Sequence, residues 1–242
     1  MKQAYQWNAY IAEGLGTFLF FLIGIGAGYA VVGLVDQEAA SGVIVAFAHG
    51  LALLVMVSAF GAISGGHFNP AVTFGLWLAG KIDPIKSVVY VVAQVIGAVL
   101  AAAVALYIFS DREGIEASMA VPALGDGIDV LRGIVVEAGI TMVLVVAVFG
   151  TAVDGRAPKI GGIGIGLALV AGILMAGTLT GGAANPARWF GPALVALDFS
   201  NAIVWIIGPL LGAGIVAAVY RFLFLPEAED QAAAEGSETA AE

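Results

Sequence analysis

The chain has 242 residues, of which 61% are hydrophobic and only 11% are charged, and it contains 34 glycines. A soluble domain carries about a quarter charged residues, so the composition excludes an ordinary soluble domain and predicts an all-α membrane protein. The net charge of −9 comes mainly from 226–242, which holds six acids and no base and which we expect to be a disordered acidic tail.

Six segments are apolar over about 20 residues, the length that a helix needs to cross a bilayer. In chain order they are 9–35, 43–63, 86–109, 132–153, 160–179 and 202–225. We expect them to form one channel domain over residues 1–225.

Two shorter apolar runs begin at a repeated tripeptide, Asn69-Pro70-Ala71 and Asn185-Pro186-Ala187. Each run has about ten residues and forms roughly 15 Å of helix, half of the ~30 Å hydrocarbon core. Two such half-helices that meet at their N-termini would together make one full crossing.

The order span, span, half-helix, span occurs twice, over about 9–109 and 132–225. Glu13 and Thr17 in the first span correspond to Glu137 and Thr141 in the fourth. Because each repeat has an odd number of spans, the second copy is expected to be inverted relative to the first.

The basic residues predict the orientation. If both termini are in the cytoplasm, six basic residues of the loops and ends lie on the cytoplasmic side and only two, Arg112 and Arg132, lie on the outer side. This bias agrees with the positive-inside rule. The inward-facing bases are Lys2, Lys81, Lys86, Arg156, Lys159 and Arg221.

The asparagine-proline pairs are typical helix starts, with asparagine as N-cap and proline at the first helical position. A capping asparagine uses its side-chain oxygen on backbone N–H groups, so its NH₂ is left as a donor. Two such donors at two positive helix ends would bind the oxygen of a water molecule and repel cations. A water held in this way cannot accept a hydrogen bond from its neighbours in line, so the proton wire is interrupted while water still passes.

The segments 64–73 and 185–193 closely resemble the two signature loops of the aquaporins, the major intrinsic proteins, and the resemblance extends over residues 8–225. It implies a right-handed bundle of six transmembrane helices with two re-entrant half-helices. It also implies a homotetramer with one pore per subunit. We expect a multi-pass protein of the cell membrane.

The same resemblance implies a selectivity filter formed by His49, Ile173, Gly182 and Arg188. This set matches the ammonia-permeable subgroup, which includes some plant vacuolar aquaporins. We therefore expect a passive channel for water and neutral ammonia that excludes protons and ions.

Other residues complete the predicted pore. Backbone carbonyls of Gly65, Gly66, His67 and Gly181 are expected to line its vestibules. Glu13 and Glu137 are buried carboxylates that either anchor the re-entrant loops or act as the proton relay of a transporter. We expect the structural role.

Several other functions remain open from the sequence. A glycerol facilitator typically has an aspartate and a basic residue where this chain has Trp189 and Ala193. A secondary transporter needs ion-coupling residues, and a low-conductance structural membrane protein shares the fold. With no cysteine and two histidines, neither an enzyme nor any metal, cofactor or nucleic-acid partner is expected.

Overall fold

The computed structural model describes residues 2–32, 38–158 and 160–225. The predicted tail 226–242 lies outside the described residues. In this part of the chain the α-helices are α1 Lys2–Val31, α2 Glu38–Ser64, α3 Pro70–Leu78, α4 Pro84–Phe109, α5 Val130–Val148, α6 Gly162–Thr180, α7 Pro186–Ala196 and α8 Ile203–Val219.

The prediction of an all-α fold with six spans is confirmed. Six helices are long and apolar enough to cross a membrane, over Trp7–Val31, Ala40–Ser64, Pro84–Phe109, Val130–Val153, Gly162–Thr180 and Ile203–Phe224. The last turns of α5 and α8 widen into π-helical turns, Phe149–Val153 and Tyr220–Phe224. Phe149 and Tyr220 stack there, with ring centroids 4.7 Å apart.

The two halves of the chain repeat the same packing. Helix α1 packs on α2 and α4, as α5 packs on α6 and α8, and α2 and α6 join the two halves. Glycines allow the close approach: a Cβ on Gly166 would collide with the Gly50 carbonyl, and one on Gly212 with the Ala138 carbonyl.

The short helices α3 and α7, the half-helices, tie the repeats together. Helix α3 packs against α8 of the second repeat, and α7 packs against α4 of the first. Each half-helix is therefore held by a span of the other repeat, which brings their N-termini to the centre of the bundle.

Polar contacts join the loop after α5 to the residues that follow α8. Arg156 Nη2 donates to Asp154 Oδ2 at 2.8 Å and to the Phe224 carbonyl at 2.9 Å. The hydrogen bonds from Arg156 lower the pKa of Asp154 to about 2, so this carboxylate stays charged at neutral pH. The loop between α5 and α6 is thereby fastened to the end of α8.

Candidate functional site

Asn69 and Asn185 cap the two half-helices as the sequence predicts. The Asn69 Oδ1 accepts from Ala71 N at 2.8 Å, and the Asn185 Oδ1 accepts from Ala187 N at 3.0 Å. Pro70 and Pro186 occupy the first helical turn, where no backbone N–H is needed. Both side-chain amides therefore point their NH₂ groups away from their own helix.

The two asparagines also link the re-entrant loops to each other, which the sequence does not reveal. Asn69 Nδ2 donates to the Ala184 carbonyl and Asn185 Nδ2 to the Phe68 carbonyl, both at 2.9 Å. Phe68 and Ala184 have φ of 47° and 49°, a strained conformation for non-glycine residues. The two reciprocal bonds use the carbonyl groups of these strained residues, and they hold the two helix starts against each other.

Glu13 lies under the first re-entrant loop and accepts four hydrogen bonds. Oε1 accepts from Ser64 Oγ at 2.7 Å and His67 N at 2.9 Å, and Oε2 accepts from Phe68 N and Gln94 Nε2, both at 2.8 Å. The carboxylate thus satisfies backbone donors of an irregular segment at membrane depth.

Glu137 makes three corresponding contacts under the second loop. Its Oε1 accepts from Thr180 Oγ1 at 2.6 Å and Ala183 N at 3.0 Å, and its Oε2 accepts from Ala184 N at 2.7 Å. These contacts favour the structural interpretation of both carboxylates over the proton-relay interpretation.

A narrow cavity lies where the two half-helices meet. Its volume is about 10 Å³, which is room for about one water molecule. Its polar lining comes from both signature loops, and apolar side chains from four spans and from α3 form the rest of the wall. The lining residues are Phe20, Leu53, Gly66, His67, Asn69, Val72, Leu144, Val148, Ile165, Leu169, Ala183 and Asn185.

His67 faces this cavity and belongs to a buried network behind it. Gln94 Nε2 donates to Thr73 Oγ1 at 3.0 Å, and Thr73 Oγ1 lies 3.0 Å from His67 Nδ1. The Thr73 hydroxyl has two lone pairs and one hydrogen, so while it accepts from Gln94 it can either donate to His67 Nδ1 or accept from it. Gly65 lies one residue before the lining residue Gly66.

His49 and Arg188 are in direct contact with each other. Arg188 Nε donates to His49 Nε2 at 2.9 Å, and Arg188 Nη1 donates to the Ala120 carbonyl at 2.9 Å. Since a guanidinium can only donate, His49 Nε2 must accept, and its Nδ1–H donates to the Val45 carbonyl at 2.9 Å. Both imidazole nitrogens are therefore occupied, and three of the five N–H groups of Arg188 have no partner within the described residues.

Ile173 and Gly182 form the opposite pair of predicted filter residues. Glycine suits position 182 for two reasons. A Cβ there would lie only 3.1 Å from the Ile173 Cα, and the residue has a positive φ of 59°. A larger cavity of about 490 Å³ lies next to them and is lined by Ile173, Gly181 and Arg188 among others.

Sequence reasoning missed the uncharged polar residues that support the loops. Gln94, Tyr90 and Trp205 each lie in an apolar span, where one polar side chain gives no periodic signal. For Tyr90 and Trp205 the repeat offers a signal, since they contact the corresponding residues Ser64 and Thr180, whereas Gln94 has no such counterpart among the described contacts.

The comparisons with known proteins agree with this geometry. The family described as Major intrinsic protein matches residues 1–220. "Aquaporin TIP2-1" from Arabidopsis thaliana is 40% identical over 92% of this chain and 89% of its own length. "Aquaporin TIP2-1" from Zea mays is 41% identical over 93% of this chain and 91% of its own length.

A solved structure, the aquaglyceroporin from Plasmodium falciparum, superposes on this protein with a TM-score of 0.81 at 22% sequence identity. The match covers 93% of this chain and 99% of that chain, and it confirms the predicted bundle with two half-helices. The chain therefore belongs to the major intrinsic protein family, the aquaporins, and is an integral multi-pass membrane channel protein rather than an enzyme.

Proposed function

We propose that the protein is a passive channel that conducts water, also passes neutral ammonia, and excludes protons and ions. The observation that carries the proposal is the pair of capping asparagines, bonded to each other's loops at the narrow cavity between two helix N-termini. The two TIP2-1 relatives, aquaporins by name, support the same function.

The asparagine geometry supports proton exclusion. Each amide NH₂ has two N–H groups, and each gives one to the opposite loop. The second N–H of each amide remains for a permeant in the cavity. A water that accepts from both amides has no lone pair left for a neighbour in line, so proton hopping stops there. The positive ends of α3 and α7 repel cations at the same point.

The filter that we propose consists of His49, Ile173, Gly182 and Arg188. Its polar side is Arg188, whose three remaining N–H groups favour a permeant with a lone pair. Its apolar side is Ile173, and the His49 ring nitrogens are already occupied. Such a filter suits neutral ammonia, because its single lone pair needs only one donor, whereas water has two lone pairs to satisfy.

Internal alkalinisation of proteoliposomes under an ammonia gradient tests the second permeant. We expect faster alkalinisation than in protein-free liposomes. The matched variant Ile173→His adds a polar ring to the apolar wall and should lower ammonia flux more than water flux. Alkalinisation equal to that of empty liposomes would remove ammonia from the proposal and leave water.

Glycerol transport has less support. Where glycerol facilitators have an aspartate and a basic residue, this chain has Trp189, buried among aromatic residues next to Arg188, and Ala193, which is buried as well.

A low-conductance structural protein of the same fold is the other alternative. A measurement of osmotic water permeability separates it from a working channel.

We further propose a homotetramer with one pore per subunit and with both termini in the cytoplasm. Apolar side chains cover the outer faces of the spans, including Val88, Val135 and Leu167, and they suit contact with lipid or with neighbouring subunits. Residence in the cell membrane stays a prediction.

A further inference from the structure

Two tryptophans are buried behind the outer re-entrant loop. Trp189 in α7 and Trp205 in α8 are 2% and 1% exposed, and their rings are parallel with centroids 6.0 Å apart. The two indoles differ in one respect. Trp205 Nε1 donates to the Thr180 carbonyl at 3.0 Å, whereas Trp189 Nε1 has no hydrogen-bond partner within the described residues.

Thr180 is the last residue of α6, immediately before the outer loop. Its hydroxyl donates to Glu137 Oε1 at 2.6 Å and accepts from Gly182 N at 3.3 Å. With its carbonyl bonded to Trp205, Thr180 is held at three points. Gly181 and Gly182 follow, with φ of 77° and 59°.

The first repeat has the same arrangement with different side chains. Ser64, the last residue of α2, donates from Oγ to Glu13 Oε1 at 2.7 Å and accepts from Gly66 N at 3.0 Å. Its carbonyl accepts from the Tyr90 hydroxyl at 2.6 Å. Tyr90 follows Asn69 by 21 residues, and Trp205 follows Asn185 by 20.

We propose that Trp205 is a specificity-determining positioning residue, whose hydrogen bond to the Thr180 carbonyl sets the outer loop that carries Gly182 and leads to Arg188. Tyr90 holds the inner loop in the equivalent way. The inference rests on the proposed function, because it assigns Trp205 to the filter of that channel.

Glycine makes this outside support necessary. Gly181 and Gly182 have no side chains that could fix their backbone by packing, so the loop takes its position from its neighbours. Without the Trp205 N–H, the buried Thr180 carbonyl has no partner and the loop gains other positions. A lost neutral hydrogen bond changes such a population by about fivefold. A filter with a less defined width discriminates less between water and a larger neutral solute.

The test compares Trp205→Phe with Trp189→Phe in proteoliposomes with equal amounts of folded protein. Both variants remove the same atoms from the same cluster, but only the first removes a hydrogen bond. We measure urea and water permeability by light scattering and use their ratio, which is independent of the number of channels. We expect the ratio to rise about fivefold in Trp205→Phe and to stay at the wild-type value in Trp189→Phe. A ratio that does not rise in Trp205→Phe, or that rises equally in both, overturns the proposal.

A variant that keeps the shape of the side chain covers the case in which Trp205→Phe does not fold. Replacing Trp205 by β-(3-benzothienyl)alanine exchanges the indole N–H for sulfur and preserves the ring stack. We expect the same rise in the ratio, and an unchanged ratio overturns the proposal. Wild-type water permeability is recorded in parallel. Its absence would count against the proposed function, whereas a conducting wild type with an unaltered variant ratio counts against Trp205 alone.

Discussion

Replacement of Glu13 by glutamine is the sharpest test of how the re-entrant loops are held. The substitution keeps the shape of the side chain and turns one acceptor oxygen into an NH₂ donor. Four donors converge on Glu13, so the new NH₂ group must face two of them.

The new NH₂ group has two possible orientations, and the second also costs the Gln94 Nε2 bond to Thr73 Oγ1. In the Oε1 position the NH₂ faces Ser64 Oγ, which can rotate to accept, and His67 N–H, which cannot. In the Oε2 position it faces Phe68 N–H, which cannot accept, and Gln94, which can turn its Oε1 inward because that atom has no partner among the described residues. Either way one buried backbone N–H is left unpaired, at a cost of about 1–3 kcal/mol.

A loss of about 2 kcal/mol in a chain of this size lowers the apparent unfolding temperature by about 5 °C. We expect this shift in detergent, measured as the assembled protein that survives heating. Water permeability per assembled channel should stay near the wild-type value, because Glu13 lies behind the loop. Glu113→Gln, the same change at an exposed site, is the control and should shift neither quantity. An unchanged unfolding temperature combined with a large loss of permeability per channel would refute the structural role.

Two further predictions address the pore wall. A Cβ on Gly24 would collide with the His49 ring, whereas one on Gly28 meets nothing within 4 Å among the described residues. Gly24→Ala should therefore cost about 1–3 kcal/mol of stability and lower water permeability per channel, while Gly28→Ala should match the wild type in a paired heating and shrinkage assay. Since the chain has no cysteine, mercuric chloride should leave its water permeability unchanged. Ala183→Cys, in the lining of the central cavity, should introduce block, and Ala103→Cys, on the exposed face of α4, should not; equal sensitivity of both would contradict the assigned pore.

Much of the fold could be predicted because its signals are local. Long apolar runs define spans, and an asparagine followed by proline defines the start of a helix wherever it occurs. The doubled tripeptide and the matching Glu13 and Glu137 then specify the repeat. Among the described residues the spans end within a few residues of the predicted bounds, and residues 33–35 of the first predicted span lie outside the described residues.

The arrangement inside the pore could be predicted only in part. The resemblance assigns His49 to the filter but does not give its partners, which in the structure are Arg188 and the Val45 carbonyl, one at each ring nitrogen. That outcome depends on how two segments 139 residues apart approach each other, which no local pattern encodes. Trp189, unexplained from the sequence, packs on Trp205 from another helix for the same reason.

The most direct test of the central claim measures water and proton fluxes in one preparation. Proteoliposomes that hold a pH-sensitive dye are shrunk by an osmotic jump and then exposed to a pH gradient. The geometry of Asn69 and Asn185 predicts shrinkage well above that of protein-free liposomes, with a proton leak equal to theirs. Shrinkage no faster than in protein-free liposomes, or a proton flux that rises with protein content, would contradict the claim.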